Sequence, residues 1–226
     1  KRDELLPAAA YSLVQQVNER GVYSFCMCPG GFIVPAATAN GEVVVNGMSP
    51  SKRNNEFANS GIVVEINVDK DIPKYEQFGA LKGLEYQKNL ERLAFTSGGR
   101  TQTAPAQRLT DFVEGNLSQD LNPTSYQPGL KSAPLHSLLP KLIGSNLRKG
   151  FESFGQKMKG YYTAEANVIG VESRTSSPVS IPRNDQLQHP EITNLFPCGE
   201  GGGYAGGIVS AAMDGERCAE AAIIGL

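Results

Sequence analysis

Leu195-Phe-Pro-Cys-Gly199-Glu200-Gly201-Gly-Gly-Tyr204-Ala-Gly206-Gly207-Ile208-Val209 is the stretch on which the reading of the whole chain turns. Glycine fills six of the nine positions from Gly199 to Gly207, an apolar run precedes them, and a small-residue helical pattern follows. With no Cβ in the way, backbone N–H groups in such a stretch can come close to another molecule. Where the stretch feeds a helix, the unpaired N–H groups and the positive dipole end favour an electron-rich ligand atom. A nucleotide cofactor answers that description. A glycine turn that only lets a helix lie tightly on a sheet answers it too. Gly201-x-Gly203-x-x-Gly206 matches the dinucleotide fingerprint, which has meaning inside a βαβ unit whose second strand ends in an acid. The sequence ends at Leu226, directly after the helix pattern. The expectation is therefore a strand–turn–helix that touches a cofactor, without a complete Rossmann unit.

Working outward, the helix after Gly207 places Ile208, Ala212, Gly215, Ala219 and Ala222 near one face, which predicts close packing of that face on a sheet. Upstream of the turn, Ala164–Val171 reads as a strand leading into Glu172-Ser-Arg174-Thr-Ser176-Ser177-Pro178. Two helical regions come earlier. Lys74–Phe95 carries Phe78, Leu81, Leu84, Leu90 and Leu93 and stops at Gly98-Gly99; Leu135–Met158 is kinked near Pro140. The first third reads as sheet. Leu5–Cys28 is a hairpin turning at Asn18–Gly21, with an amphipathic helix over Leu5–Val17 as the competing reading. Phe32–Ala36 and Glu42–Val45 flank the hairpin signal Asn40-Gly41, a polar loop follows over Asn46–Ser60, and Gly61–Val68 is a further strand. Strands, then helices, then strand, glycine turn and helix make an α+β chain with a mostly antiparallel sheet.

At 226 residues the chain can bury a sizeable core. Twenty-one basic residues against 23 acidic ones give no global attraction to nucleic acid or to an anionic membrane surface. No apolar run reaches membrane-span length, and Lys1-Arg-Asp-Glu4 is not a signal peptide. A start at Lys1 reads as a piece of something longer. Four cysteines do not make a disulfide scaffold, so a reducing cytoplasmic setting is expected. Cys26 and Cys28, two apart on a strand, should share a face; buried thiols, a substrate-side or flavin-side role, and half a metal site are the readings open to them. With Cys198 and Cys218 forming no second pair and only His136 and His189 available, no metal site is expected. Hydrolase signatures are missing: there is no G-x-S-x-G elbow, and Ser49-x-x-Lys52 stands in a predicted loop without its companion motifs. Glu200, at the mouth of the turn, can accept hydrogen bonds from a sugar alcohol, or satisfy backbone donors at the helix start.

Phe25-Cys26-Met-Cys28-Pro-Gly-Gly31, Glu172–Pro178 and Leu195–Gly215 together resemble the C-terminal part of a family of bacterial FAD-dependent dehydrogenase-like proteins. The resemblance implies that a nucleotide-binding segment lies upstream of this chain, that residues 1–165 form a substrate-side domain, and that residues 166–226 return to complete the flavin site. It further implies that Glu200 faces the ribityl or phosphate region of FAD. Gly206, Gly207 and Ile208 would present N–H groups to the pyrimidine edge, with Gly199 and Gly201 in the same turn and Tyr204 stacking on or edging the ring. Cys26, Cys28, Arg174, Ser176 and Ser177 match the motifs and are the catalytic candidates, toward an unknown small-molecule substrate. A non-catalytic binding or scaffold module with a vestigial cofactor turn is the alternative.

Overall fold

The computed structural model describes residues 13–224. It is an α+β fold with mostly antiparallel pairing. Contacts divide the chain into two units, Lys1–Ile66 with Glu91–Glu172, and Asn67–Leu90 with Ser173–Leu226.

In the first unit β1 (Val14–Val17) and β2 (Arg20–Cys28) form the expected hairpin, and β5 (Asn59–Val64) pairs with the far side of β2, all antiparallel. Val17 faces Arg20 across a two-residue turn in which Asn18 and Glu19 both have left-handed φ, 48° and 63°. Turns with that handedness match the twist of the strands they join. The part of the hairpin reading before Leu13, and of its helical competitor, lies outside the described residues. β3 (Phe32–Pro35) and β4 (Val45–Met48) form a second antiparallel pair. The strand expected over Glu42–Val45 is displaced along the chain. Gly41 does turn, at φ 78°, but Val43 and Val44 are fully buried and the Val43 N–H bonds Glu91 O at 3.1 Å. The Ala36 N–H still bonds Val44 O at 2.8 Å, and regular pairing with β3 starts at Val45.

The third sheet has the order β7 (Leu130–Ser132), β6 (Ala104–Arg108), β8 (Asn167–Ile169), with β6 and β7 parallel. β8 is the short realisation of the strand expected over Ala164–Val171. Pro105 O accepts the Gly170 N–H at 2.9 Å, and with no N–H of its own Pro105 cannot return the bond, so the β8 ladder ends at the Ala106–Ile169 pair.

The expected helix Lys74–Phe95 divides into a 3₁₀ segment, Pro73–Leu81, and α1 (Lys82–Ser97). Gly79 at φ 53° interrupts it, a conformation that glycine adopts without penalty. α2 (Leu109–Glu114) follows, then α3 (Leu135–Leu138) and α4 (Lys141–Lys157), which are the two parts of the kinked region. Between them Leu139 is extended, at φ −64° and ψ 146°, because Pro140 disfavours helical geometry in the residue before it. α4 lies on the first sheet through Gly150, where a Cβ would stand 2.6 Å from Val22 Cγ1. Leu147, Phe151 and Phe154 fill the space around that contact with Val17, Phe112 and Leu135.

The second unit is built differently. It holds the 3₁₀ segment, the first turns of α1, and α5 (Ile208–Ile224), and no strand among its described residues. The strand expected directly before the glycine turn is therefore not formed; an extended run without a neighbouring strand has no ladder to join. α5 forms as expected but turns a different side inward. Asp214 and Cys218 are buried, while Ile208 is 89% exposed and Ala212 and Ala219 face outward. The small-residue stripe is thus about a quarter turn away from the buried side, at 3.6 residues per turn.

Candidate functional site

The glycine stretch is a compact turn held by its own chain. Gly203 N–H donates to Glu200 O at 3.1 Å, Tyr204 N–H to Gly199 O at 3.0 Å, and Ile181 N–H to Gly202 O at 3.1 Å. Its organising group is a buried ion pair that sequence spacing does not reveal. Arg183 donates through Nη1 to Asp214 Oδ2 at 3.0 Å and through Nη2 to Asp214 Oδ1 at 2.8 Å. The same Nη1 reaches Pro197 O at 3.0 Å, and the guanidinium carbon lies 3.6 Å from the centroid of the Tyr204 ring. Asp214 Oδ2 also accepts the Gly199 N–H at 2.9 Å. The Arg183 hydrogen bonds, followed by the Gly199 N–H, draw the Asp214 carboxyl down to about 2. Hydrogen bonds to charged groups contribute about 1.5–3 kcal/mol each. One pair therefore ties the turn's entry, the turn's tyrosine and α5 together.

The six glycines separate into two kinds. Gly199 and Gly203 have φ of 68° and 84°, and a Cβ on Gly203 would stand 2.8 Å from Val179 O. At Gly202 a Cβ would lie 3.0 Å from the Cys198 backbone. These three are required by the turn itself. Gly201 and Gly206 are not: a Cβ there would meet nothing within 4 Å, and at Gly207 only Ser210 Oγ at 3.9 Å. Beyond them α5 begins at Ile208, its first N–H groups without intrahelical acceptors and its first residues exposed.

The other sequence candidates fall as follows. Glu200 is exposed, and the carboxylate that accepts a turn N–H is that of Asp214. Tyr204 donates its hydroxyl to Ile181 O at 2.7 Å and carries Arg183 over its ring. Ser177 Oγ donates to Val179 O at 2.6 Å and lies 3.4 Å from Gly201 O, so it buttresses the turn. Arg174 and Ser176 are exposed in the same unit. Cys26 and Cys28 belong to the first unit, on β2. β2 carries an extra residue between Ser24 and Met27, so ideal alternation does not set Cys26 on the face of Cys28. Cys28 is buried, with its sulfur beside Gly47. Glu172, also in the first unit, holds its carboxylate over Gly61, where a Cβ would come within 2.1 Å of Oε2, and burial pushes that carboxyl up. Among the described residues no three His, Cys, Asp or Glu side chains gather as metal ligands would, and no helix is long and apolar enough to cross a membrane. A shallow groove of about 410 Å³ between β1 and α4, lined by Gln15, Gln16, Lys149 and Glu152, includes none of the candidates.

Sequence comparison relates the chain to known ones. The family model described as "FAD-dependent protein, C-terminal domain-like" matches residues 1–175. An uncharacterised protein of Clostridium beijerinckii is 42% identical over 219 residues, which cover 95% of this chain and 40% of the relative. The chain thus spans about 40% of the length of that relative.

Proposed function

The chain belongs to the FAD-dependent protein, C-terminal domain-like family, and from that premise we propose that it is part of an FAD-dependent oxidoreductase acting on a small molecule. Residues 1–165 supply the substrate side, and residues 166–226 supply part of the flavin site. The observation that carries this is the presence of glycines the turn does not need. Gly201 and Gly206 face open space, and glycine at such positions admits a ligand close to the backbone. Gly199, Glu200, Gly201, Tyr204, Gly206, Gly207 and Ile208 are the residues that would hold FAD. When bound, FAD supplies the hydride-accepting chemistry. The chain's part is electrostatic. N–H groups at Gly207 and Ile208 and the start of α5 offer fixed donors where negative charge collects, and donors aligned in advance cost no reorganisation. Glu200, being exposed, is free to accept from sugar hydroxyls. Cys26, Cys28, Arg174, Ser176 and Ser177 remain the catalytic candidates. The four thiols are free, which suits a reducing cytoplasmic setting.

In the full-length protein, Gly206→Ala should weaken FAD retention about tenfold, which is ~1.4 kcal/mol, with the unfolding midpoint unchanged. Equal flavin content in variant and parent would refute the placement. The scaffold alternative draws on a different observation: Asp214 and Arg183 already satisfy the Gly199 N–H and one face of Tyr204 from within the chain. It expects Glu200→Ala to alter stability and leave flavin content alone, whereas a flavin-contacting Glu200 gives the reverse.

A further inference from the structure

Cys198 and Cys218 are thiols of the second unit to which the proposed flavin site gives no role. Cys198 is exposed at the entry to the glycine turn, and Cys218 is buried on α5. The backbone is clamped to α5 on both sides of Cys198. Pro197 O lies 3.8 Å from Cys218 Sγ, and the Gly199 N–H bonds Asp214 one helical turn before Cys218. Gly202 closes over the third side, with no room for a Cβ against the Cys198 backbone. Between those clamps Cys198 is one peptide bond away from the carbonyl that touches Cys218 Sγ.

We propose that Cys198 and Cys218 form a thiol–disulfide exchange site whose substrate class is the low-molecular-weight disulfide. Exposure makes Cys198 the entry thiol, because attack on an incoming disulfide needs access. Its sulfur bonds one sulfur of the small disulfide and releases the other half as a thiol. Cys218 then attacks the Cys198 sulfur, forming the intramolecular disulfide and releasing the second small thiol. The small disulfide is reduced by two electrons, the protein dithiol is oxidised by two, and both protons leave on the released thiols. Arg183 Nη1, 3.3 Å from Cys218 Sγ, stands where negative charge develops as that thiol gives up its proton. Burial pushes the Cys218 thiol up, so it stays protonated until the mixed disulfide forms beside it. The product is a covalent tie between the mouth of the glycine turn and the middle of α5. The proposal stands on the thiols and holds whether or not the turn contacts flavin.

The test is treatment of the reduced protein with glutathione disulfide, followed by alkylation and peptide mapping. The expected result is a cross-link between the peptides holding Cys198 and Cys218, with Cys26 and Cys28 alkylated. The Cys218→Ser variant should stop at a glutathione adduct on Cys198, and Cys198→Ser should slow oxidation of Cys218 at least about tenfold. Recovery of both cysteines alkylated, a Cys198 adduct in the parent protein that never proceeds to the cross-link, or unchanged oxidation of Cys218 in Cys198→Ser would each overturn it. The cross-link in the parent protein is read directly, so the outcome does not depend on either variant folding.

Discussion

Arg183 and Asp214 stand 31 residues apart and nothing in their local sequence advertises the pair. Hydrophobic periodicity marks which side of a helix is apolar; it carries no signal for a long-range ion pair that turns a polar residue inward. That is why the buried side of α5 was not legible while its existence was. Side-chain exposures of 10% for Arg183 and 7% for Asp214 make this a desolvated pair, and removal of one partner leaves the other charge uncompensated. Asp214→Asn should therefore cost about 1.5–3 kcal/mol, read as lost hydrogen-exchange protection at the Gly199 amide; unchanged protection there would show that the pair does not hold the turn. The pH dependence has a definite sign. The Asp214 carboxyl is depressed in the folded state, to about 2. Its contribution is full above the unfolded value of about 3.9 and is lost as pH falls toward about 2, so the Gly199 amide should lose protection on acidification within that window. The glycines give a paired test at the same scale. Gly203→Ala, at φ 84° and against Val179 O, should destabilise by roughly 1–3 kcal/mol. Gly201→Ala should stay within about 0.5 kcal/mol. Thermal unfolding of the two variants side by side decides it, and equal losses would mean that both glycines are structural.

Among elements, hairpins and helices were the legible part, and registers were not. Asn18-Glu19 turned as the alternation on either side required, and Pro140 broke the helical region at the residue before it. Asn40-Gly41 marked a turn correctly, yet the strand after it began at Val45, because the Val43 N–H goes to Glu91 O instead of to β3. β6, with Pro105 inside it, carries no local strand signal. Only its neighbours on either side, β7 and β8, make it a strand. The contact of α4 on the first sheet depends on one glycine. Gly150→Ala places a methyl 2.6 Å from Val22 Cγ1, and such overpacking should cost about 1–3 kcal/mol in urea unfolding; an unchanged midpoint would show that helix and sheet can separate there without loss. Gly215, inside α5, has open space where its Cβ would stand. Alanine there should stabilise the helix by about 0.5–1 kcal/mol, visible as increased helical circular dichroism.

Across the whole molecule the two units differ in what holds them. The first has two apolar clusters, around Phe112 and Phe154 and around Val43 and Tyr126. The second is organised by the Arg183 pair and leaves Ile208, Val209, Met213, Ile223 and Ile224 of α5 exposed, at 59–89%. Exposed apolar side chains of that kind are what an interaction site would use. It fits a chain that spans about 40% of its relative's length and a C-terminal segment that belongs, as proposed, to a larger flavin-binding unit. Ile223→Lys should leave unfolding of the chain by itself within about 0.5 kcal/mol, while lowering flavin retention of the full-length protein; a loss in the isolated chain alone would point to an internal role.

The flavin content of the full-length protein after gentle purification and addition of FAD is the decisive quantity. The absorption spectrum should show bound flavin at about one per chain, by mass action at saturating cofactor, and much less when Gly206 is replaced by alanine. A spectrum with no bound flavin in the parent protein would contradict the assignment of the glycine turn to a flavin site.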